Sequence, residues 1–428
     1  MGIGSKDCRR WVEMKTFTFV IVVGVGLVIL LLFVPLSAEI QTFQRLDLLI
    51  EETAGIRRTR YPVNVRVPFP QGALARPDEV RLLLGDEEIP GQFFSSSNWP
   101  DTSVQWLALS FNASIGPLET RTYRLEYGPG VGAGAKPERP LILVDESGVV
   151  QVGRVHFTKT GSPLFRSVGY RGQVIGSGLN GFTVEDTSGT IYELGGNISV
   201  TSETIRSGPL YVEFRYSGRI VLRGGIETPF VVTVEMPNSK SWVKTTAVVN
   251  DADQRLRKLS FHIPLDLGQR PWVWDFGTPR WTYGVLRNDE GSVILTNNVG
   301  IQGATEWRVE AGPKGREQLY ETSGTTQAVA VEWGHLQGGR EAVAFGLDHF
   351  ADAPGTYRME VDGMGQASFH AVPAIRVTQH RLTVYLHFVG SPVQIGAATS
   401  PPSMLRPLVV HVDPKQYAVS GMEPPAAR

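Results

Sequence analysis

Tyr61-Pro-Val-Asn-Val-Arg-Val-Pro-Phe-Pro70 is the stretch of this chain that most clearly indicates its fold class. Its valines at positions 63, 65 and 67 alternate with polar residues, and a period of two is typical of a half-buried β-strand. The same alternation predicts strands at Thr122–Tyr127, Phe230–Met236, Trp242–Val249 and Leu382–Val389. The sequence therefore predicts an all-β protein, whose 47 glycines and 28 prolines supply the turns between strands.

A run rich in glycine and proline, Gly128–Pro140, interrupts this pattern. Because such residues do not continue a β-ladder, we expect a linker at 131–140. The linker would separate an N-terminal module at 39–130 from a larger module at 141–413. Residues 414–428 carry no strand pattern of their own, and the sequence predicts that they form a tail.

The N-terminal segment 17–36 reads FTFVIVVGVGLVILLLFVPL and contains no charged residue. Twenty residues at the helical rise cover roughly 30 Å, the thickness of the hydrocarbon core of a bilayer. The basic residues that precede it would keep residues 1–16 in the cytoplasm. We expect either a transmembrane anchor or a signal segment cleaved near Ala38. In both cases the remainder would function outside the cytoplasm, anchored to the membrane or secreted.

Composition excludes some classes of function. The chain has 41 Lys and Arg against 42 Asp and Glu, a balance that argues against binding nucleic acid through bulk positive charge. Its only cysteine, Cys8, precedes the apolar segment, so no disulfide is expected after it. Paired cysteines, a His-x-x-x-His pattern and a phosphate-binding loop are all missing from the sequence, and we predict neither a metal nor a cofactor.

The first candidate binding cluster lies in a predicted turn before a strand. It contains Trp99 and Asp101, and the strand that follows contains Trp106. An exposed tryptophan in a turn can stack against the apolar face of a sugar ring. The alternative is that Trp99 covers one end of the module while Trp106 fills its core.

The second candidate cluster combines aromatic rings with arginines over a short segment. It comprises Arg270, Trp272, Trp274, Arg280 and Trp281. In an extended segment Trp272 and Trp274 lie on the same face, where a sugar could stack while an arginine binds a carboxylate. The alternative is a rigid segment that closes one edge of the larger module.

The third candidate is one face of the predicted strand Leu382–Val389 and its flanks. Arg381, Tyr385 and His387 alternate with apolar residues and would share that face. These residue types suit β-elimination from a uronic acid: arginine neutralises the carboxylate, and tyrosine or histidine moves the protons. The alternative is an ordinary solvated sheet face.

Six short segments spread over both modules form a recognisable set. They are Arg60-Tyr-Pro-Val-Asn-Val-Arg-Val-Pro-Phe-Pro-Gln-Gly72, Trp99-Pro-Asp-Thr-Ser-Val-Gln-Trp106, Thr122-Tyr-Arg-Leu-Glu-Tyr-Gly-Pro129, Asp275-Phe-Gly-Thr-Pro-Arg-Trp-Thr-Tyr-Gly284, Glu332-Trp-Gly-His335 and Ala397-Ala-Thr-Ser-Pro401. Together they resemble the exo-rhamnogalacturonan lyase family over residues 45–413. The resemblance implies that the N-terminal module is a RIFT-type β-barrel and that the larger module is a β-sandwich.

Members of that family continue into a C-terminal α/α toroid, whereas no helical periodicity follows residue 52 here. The expected function is therefore carbohydrate recognition by a membrane-anchored, extracytoplasmic protein that is not catalytic alone, with a polysaccharide or oligosaccharide, pectic types included, as the ligand. The alternative is a polysaccharide lyase acting at uronic acid residues of rhamnogalacturonan, alone or with a separately encoded α/α toroid. A purely structural module is a third reading.

Overall fold

The protein is described by a computed structural model over residues 43–146, 149–152, 155–158, 165–170, 173–177, 181–195, 200–279, 282–287, 291–300, 305–312, 320–326, 332–348, 354–391 and 400–424. Antiparallel strands make up most of this part, which confirms the all-β prediction. The sequence-predicted membrane span at 17–36 lies outside the described residues. Within those ranges, no helix has the length and apolar character needed to cross a bilayer.

The strands fall into three groups along the chain. The first group is β1 (Gln44–Glu51), β2 (Arg58–Pro68), β3 (Val80–Leu84), β4 (Glu87–Ile89), β5 (Gly91–Asn98), β6 (Val104–Ile115) and β7 (Thr120–Tyr127). The second group is β8 (Leu143–Glu146), β9 (Val149–Val152), β10 (Val155–Thr158), β11 (Phe165–Tyr170) and β12 (Gln173–Ser177). The third group is β13 (Gly181–Asp186), β14 (Ile191–Glu193), β15 (Thr201–Arg206), β16 (Tyr211–Leu222), β17 (Ile226–Pro237), β18 (Trp242–Asn250), β19 (Leu256–Pro264), β20 (Trp272–Phe276), β21 (Thr282–Leu286), β22 (Ser292–Val299), β23 (Thr305–Gly312), β24 (Tyr320–Thr326), β25 (Trp333–Gln337), β26 (Glu341–Asp348), β27 (Gly355–Asp362), β28 (Gln366–Pro373) and β29 (Gln379–Gly390).

The last described elements are short. They are α1 (Ser400–Leu405), β30 (Val409–Val412) and α2 (Pro414–Ser420).

The N-terminal module is a barrel built from two sheets. One sheet has the strand order β30-β1-β7-β3-β4, and the other has the order β2-β6-β5. Val63 and Val67 of β2 are buried in the core together with Leu107 and Leu109 of β6. The alternation in the sequence therefore predicted the strand and placed its valines on one face, and the structure shows Val63 and Val67 of that face in the core.

The larger module is a sandwich of two long sheets. Their strand orders are β14-β13-β19-β28-β27-β22-β23-β24 and β15-β16-β17-β18-β29-β26-β25-β20-β21, and a separate small sheet runs β12-β11-β10-β9-β8. Side chains of the two long sheets form one core, in which the rings of Phe345 and Phe369 lie 5.6 Å apart in an edge-to-face contact. Residues 131–140, between the barrel and the sandwich, contain neither helix nor strand.

The C-terminal segment differs from the predicted sandwich end and tail. Strand β30 pairs with β1 and so returns to the barrel, and α2 follows it. Asp413 caps α2 through a hydrogen bond from the Lys415 backbone N–H, and Gly421 ends it in the left-handed conformation. Tyr417 is buried in the barrel core. The sequence assigned residues 409–413 to the sandwich and 414–428 to a tail, because a pairing between segments so far apart in sequence leaves no local signal.

Side chains fix the barrel to the sandwich. Gln92 of β5 accepts hydrogen bonds from the backbone N–H groups of Leu210 and Tyr211 at 3.0 and 2.9 Å, and donates to the carbonyl of Tyr211 at 2.9 Å. Asn112 of β6 donates to the side-chain oxygen of Asn238 at 3.0 Å. These polar contacts hold one wall of the barrel against the start of β16 and the turn after β17.

Candidate functional site

A cleft of about 720 Å³ lies where the barrel meets the outer face of the nine-stranded sheet. Its walls come from β2 of the barrel and from β16, β17, β18, β26 and β29 of the sandwich. The segment 404–409, which begins in the last turn of α1, completes them. Ligand sites are commonly concave and of this size, and they often form between domains. The cleft is therefore the candidate functional site.

Aromatic side chains line the cleft. Tyr61 of the barrel and Trp242 of β18 meet edge to face with their ring centroids 5.5 Å apart. The hydroxyl of Tyr61 donates a hydrogen bond to the carbonyl of Ser403 at 2.9 Å, which ties the barrel to α1. Tyr211 and Tyr385 complete the set. Tyr61, Trp242 and Tyr211 are only 4–5% exposed and form the apolar floor of the cleft, so the half-buried Tyr385 offers the accessible ring surface.

A charged row crosses three adjacent strands in the cleft. Glu235 of β17 stands opposite Lys244 of β18, which stands opposite Tyr385 of β29. The Lys244 Nζ lies 3.1 Å from Glu235 Oε2 and 5.7 Å from the centre of the Tyr385 ring. Tyr211 donates its hydroxyl hydrogen to the other carboxylate oxygen of Glu235. Directly paired residues face the same side of a sheet, so alternation along each strand brings this row together.

The tyrosine hydroxyls of the cleft remain protonated at neutral pH. Burial raises the pKa of Tyr385 well above its usual value, and the nearby charge of Asp348 raises it further. Tyr385 donates to Asp348 Oδ2 at 3.4 Å. Burial and then the charge of Glu235 likewise raise the pKa of Tyr211. Because each tyrosine hydroxyl donates its one hydrogen within the protein, the cleft offers a ligand hydroxyl the Lys244 ammonium as donor and carboxylate and phenol oxygens as acceptors.

The three residues predicted to act in catalysis share one face of β29, but only Tyr385 lines the cleft. Arg381 is exposed and lies four residues before Tyr385, which corresponds to about 13 Å along an extended strand. His387 is buried against Trp242, with the two ring centroids 5.9 Å apart. The strand therefore aligns these three residues without bringing their functional groups to one point.

The turn that contains Trp99 and Asp101 is held by its own hydrogen bonds. Asp101 is exposed and accepts from the backbone N–H and the hydroxyl of Ser103 at 3.1 and 2.6 Å. Trp99 is half-buried, and its indole N–H donates to the carbonyl of Phe69 at 2.9 Å. Part of the Trp99 ring remains accessible, so stacking of a ligand on it stays a prediction.

The second predicted cluster is mostly inside the sandwich. Trp272 and Trp274 share a face of β20, as expected, but each is 2% exposed and belongs to the core. A sugar cannot stack on rings buried in this way. Arg270 covers the Trp272 ring with its guanidinium carbon 3.7 Å from the ring centre. The predicted residues Arg280 and Trp281 lie outside the described residues.

Several cleft residues were missed at the sequence level. Glu235 and Lys244 flank the turn between β17 and β18, and their outward position follows from alternation with buried valines. They become part of the cleft only because β18 pairs with β29, which carries Tyr385 and comes far later in the chain. Asp348 stands at the end of β26 and reaches the cleft only because β26 pairs with β29. Within the ranges described above, no cluster of His, Cys, Asp and Glu is arranged to hold a metal ion.

Acid should destabilise the fold through His387. Burial, then the charges of Lys240 and His335, lower its pKa to about 3, against about 6.5 in an unfolded chain. Between these values the unfolded chain binds more protons, so the free energy of unfolding should fall as pH falls from about 6.5 towards 3. Urea unfolding at several pH values would measure this. We expect His387→Gln to reduce the pH dependence and His411→Gln, at an exposed position, to leave it unchanged. The account would be contradicted if the free energy of unfolding depended equally on pH in the native protein, His387→Gln and His411→Gln.

One domain family matches the chain. Residues 53–127 match the family model described as the PcRGLX-like N-terminal RIFT barrel domain, and this stretch lies within the barrel, from the segment before β2 to the end of β7. The N-terminal module is therefore a RIFT barrel. No curated protein matches the chain in sequence.

Two solved structures share the arrangement of barrel and sandwich. An α-mannosidase from Enterococcus faecalis V583 superposes with a TM-score of 0.53 at 10% identity, over 86% of this chain and 46% of its own. A glycosyl hydrolase family 38 protein from Enterococcus faecalis gives a TM-score of 0.51 at 9% identity, over 86% of this chain and 47% of its own. The chain thus spans just under half the length of these proteins. At such identities the likeness concerns the fold alone.

Proposed function

We propose that this chain is a carbohydrate-recognition protein and that the cleft between barrel and sandwich holds the sugar. The observation that carries the proposal is the row Glu235–Lys244–Tyr385 beside the rings of Tyr61 and Trp242. Sugars present hydroxyl groups around an apolar ring face, and this cleft offers donors, acceptors and aromatic surface within one cavity. A volume of about 720 Å³ is sufficient for a short oligosaccharide.

The names of the similar proteins support this class of ligand. The α-mannosidase and the glycosyl hydrolase family 38 protein of similar fold are named for action on glycans, and the sequence resemblance to exo-rhamnogalacturonan lyases points to the same class. We extend the proposal to location: the apolar segment 17–36 would hold the chain at a membrane or direct its export, so that the cleft meets extracytoplasmic glycans. Pectic polysaccharide is the ligand that the sequence resemblance favours.

Titration calorimetry against a panel of neutral and acidic oligosaccharides would test this. We expect Glu235→Gln and Lys244→Met to weaken binding by roughly 10- to 100-fold, since each removes a charged hydrogen-bonding partner. Glu227→Gln is a matched control, because Glu227 is an exposed member of the same strand that pairs with Arg219. Absence of binding to every oligosaccharide, or equal affinities for the Glu235 and Glu227 variants, would overturn the proposal.

A second candidate is a polysaccharide lyase, acting alone or with a separately encoded α/α toroid. It is favoured by Tyr385, a protonated phenol that lies between Lys244 and Asp348 in the cleft. In β-elimination such a phenol can protonate the leaving oxygen while a cation stabilises the uronate. Incubation with rhamnogalacturonan and detection of the unsaturated product by its ultraviolet absorbance would test it. Activity that survives in Tyr385→Phe would exclude this role of Tyr385.

A further inference from the structure

Three buried polar atoms near the turn between β17 and β18 have no hydrogen-bond partner. Among the described residues, Oγ of Ser239, Nε1 of Trp242 and Nδ1 of His387 are shielded from solvent and unpaired. Trp242 and His387 are 5% and 8% exposed and stand directly opposite each other on β18 and β29. A buried polar group without a partner costs about 1–3 kcal/mol. Twelve such atoms occur among the described residues. These three stand out because Ser239 is three residues from Trp242 and the Trp242 ring contacts the His387 ring, so that one partner could satisfy them together.

The same turn carries an unmatched positive charge. Lys240 is half-buried and forms no ion pair within the described part of the chain. Burial, and then the positive charges of Arg60 and Arg58, lower the pKa of Lys240. Glu52 neutralises Arg58 at 2.9 Å, and Glu138 lies 3.7 Å from Arg60. Lys240 is therefore the cation of this group that lacks a carboxylate.

Contacts between the β17–β18 turn and β29 connect Lys240, Trp242 and His387. Ser241 donates its hydroxyl hydrogen to the carbonyl of Phe388 at 2.6 Å, and the Phe388 N–H donates to the carbonyl of Ser241 at 3.3 Å. Both contacts fix the turn beside His387. Lys240 immediately precedes Ser241 in the chain, and its positive charge contributes to lowering the pKa of His387. The rings of Trp242 and His387 lie 5.9 Å apart, which completes the connection.

The unpaired groups are mainly hydrogen-bond donors. An ammonium, an indole N–H and a hydroxyl all donate hydrogen bonds, and a neutral imidazole donates from Nδ1 in one tautomer. Glu235, the carboxylate on the adjoining strand, is already engaged by Lys244 and Tyr211. Several donors and one excess positive charge require an acceptor that carries negative charge.

We infer that the β17–β18 turn, together with Trp242 and His387, forms a binding site for a small oxyanion, namely a carboxylate, sulfate or phosphate group. Lys240 provides the charge, and Ser239, Trp242 and His387 provide hydrogen bonds. Trp242 also lines the cleft, so the site adjoins it. The oxyanion is either free in solution or the acidic group of a carbohydrate that occupies the cleft. The inference does not require the proposed function, because a free anion would satisfy the same donors.

Titration calorimetry at constant ionic strength tests the site with inorganic phosphate and sodium glucuronate. Glucose, which carries no charge, is the neutral control for glucuronate. We expect saturable binding of phosphate or glucuronate to the native protein, and at least tenfold weaker binding to Lys240→Met. Lys415→Met is the control, because Lys415 is exposed on α2. Binding of phosphate indicates a free oxyanion, and binding of glucuronate without phosphate indicates the acidic group of a sugar. Both support the site.

Two further results would overturn the inference. One is the absence of saturable binding of either anion, and the other is equal affinity in the Lys240→Met and Lys415→Met variants. Because Lys240 is repelled by its neighbours, we expect Lys240→Met to be at least as resistant to urea as the native protein without anion. Ser239→Ala provides a second variant, in which anion affinity should also fall. Binding of neutral oligosaccharides with no anion binding would reject this site while leaving the proposed function intact.

Discussion

Arg58→Met is expected to lower the free energy of unfolding by about 3–5 kcal/mol, since it leaves a buried carboxylate without its partner. Arg58 and Glu52 form an ion pair at 2.9 Å, with side chains 1% and 0% exposed. The guanidinium also donates to the carbonyls of Ser403 at 3.0 Å and Arg406 at 2.7 Å. Arg58 thus joins the barrel to the segment that lines the cleft, and its loss should weaken ligand binding as well.

Chemical denaturation of matched variants would measure this effect. Arg121→Met removes an ion pair with Glu119 whose side chains are 37% and 38% exposed, and we expect a change of only about 0–1 kcal/mol. Adding Glu52→Gln to Arg58→Met should recover part of the stability, because it removes the unpaired buried charge. A similar small change in the Arg58 and Arg121 variants would show that the buried pair does not stabilise this junction.

The second large effect is expected for Trp274→Ala, which should lower the free energy of unfolding by about 3–5 kcal/mol. Trp274 is 2% exposed and lies over Gly284 on the neighbouring strand. A Cβ atom at position 284 would come within 2.4 Å of the indole, so this glycine is needed for the ring to fit. We therefore expect Gly284→Ala to destabilise the sandwich too, by about 1–3 kcal/mol.

Trp99→Ala is the matched comparison for Trp274→Ala. Trp99 is half-buried in a turn and makes a single hydrogen bond from its indole to Phe69. Its removal should cost much less stability than removal of Trp274. Thermal or urea unfolding measures stability, and the oligosaccharide titration measures function. A Trp274→Ala protein of native stability that has lost sugar binding would contradict the core assignment and restore a binding role for that ring.

Local alternation predicted much of the fold. The strands predicted at Trp242–Val249 and Leu382–Val389 lie within β18 and β29, which are neighbours in the nine-stranded sheet. A period of two indicates which residues share a face, but it does not say which face becomes buried. Trp272 and Trp274 illustrate this limit: they share a face as predicted, and that face points into the core. The strand pairing that decides this is not visible in a single segment.

The candidate site could be predicted only in part for a related reason. Tyr385 was identified because its strand alternates clearly, whereas Asp348 enters the cleft through pairing of β26 with β29. Tyr61 comes from the other module, and its place depends on the junction around Gln92. The cleft is thus assembled from segments more than 300 residues apart, and no local pattern contains that information.

A crystal structure of the chain with the tightest oligosaccharide from the titration would test the central claim most directly. The account predicts sugar density in the cleft, with the sugar ring against Tyr385 and hydroxyl groups within hydrogen-bonding distance of Glu235 or Lys244. Density for the sugar at the Trp99 turn or on the exposed end of β29 near Arg381, with the cleft empty, would contradict it.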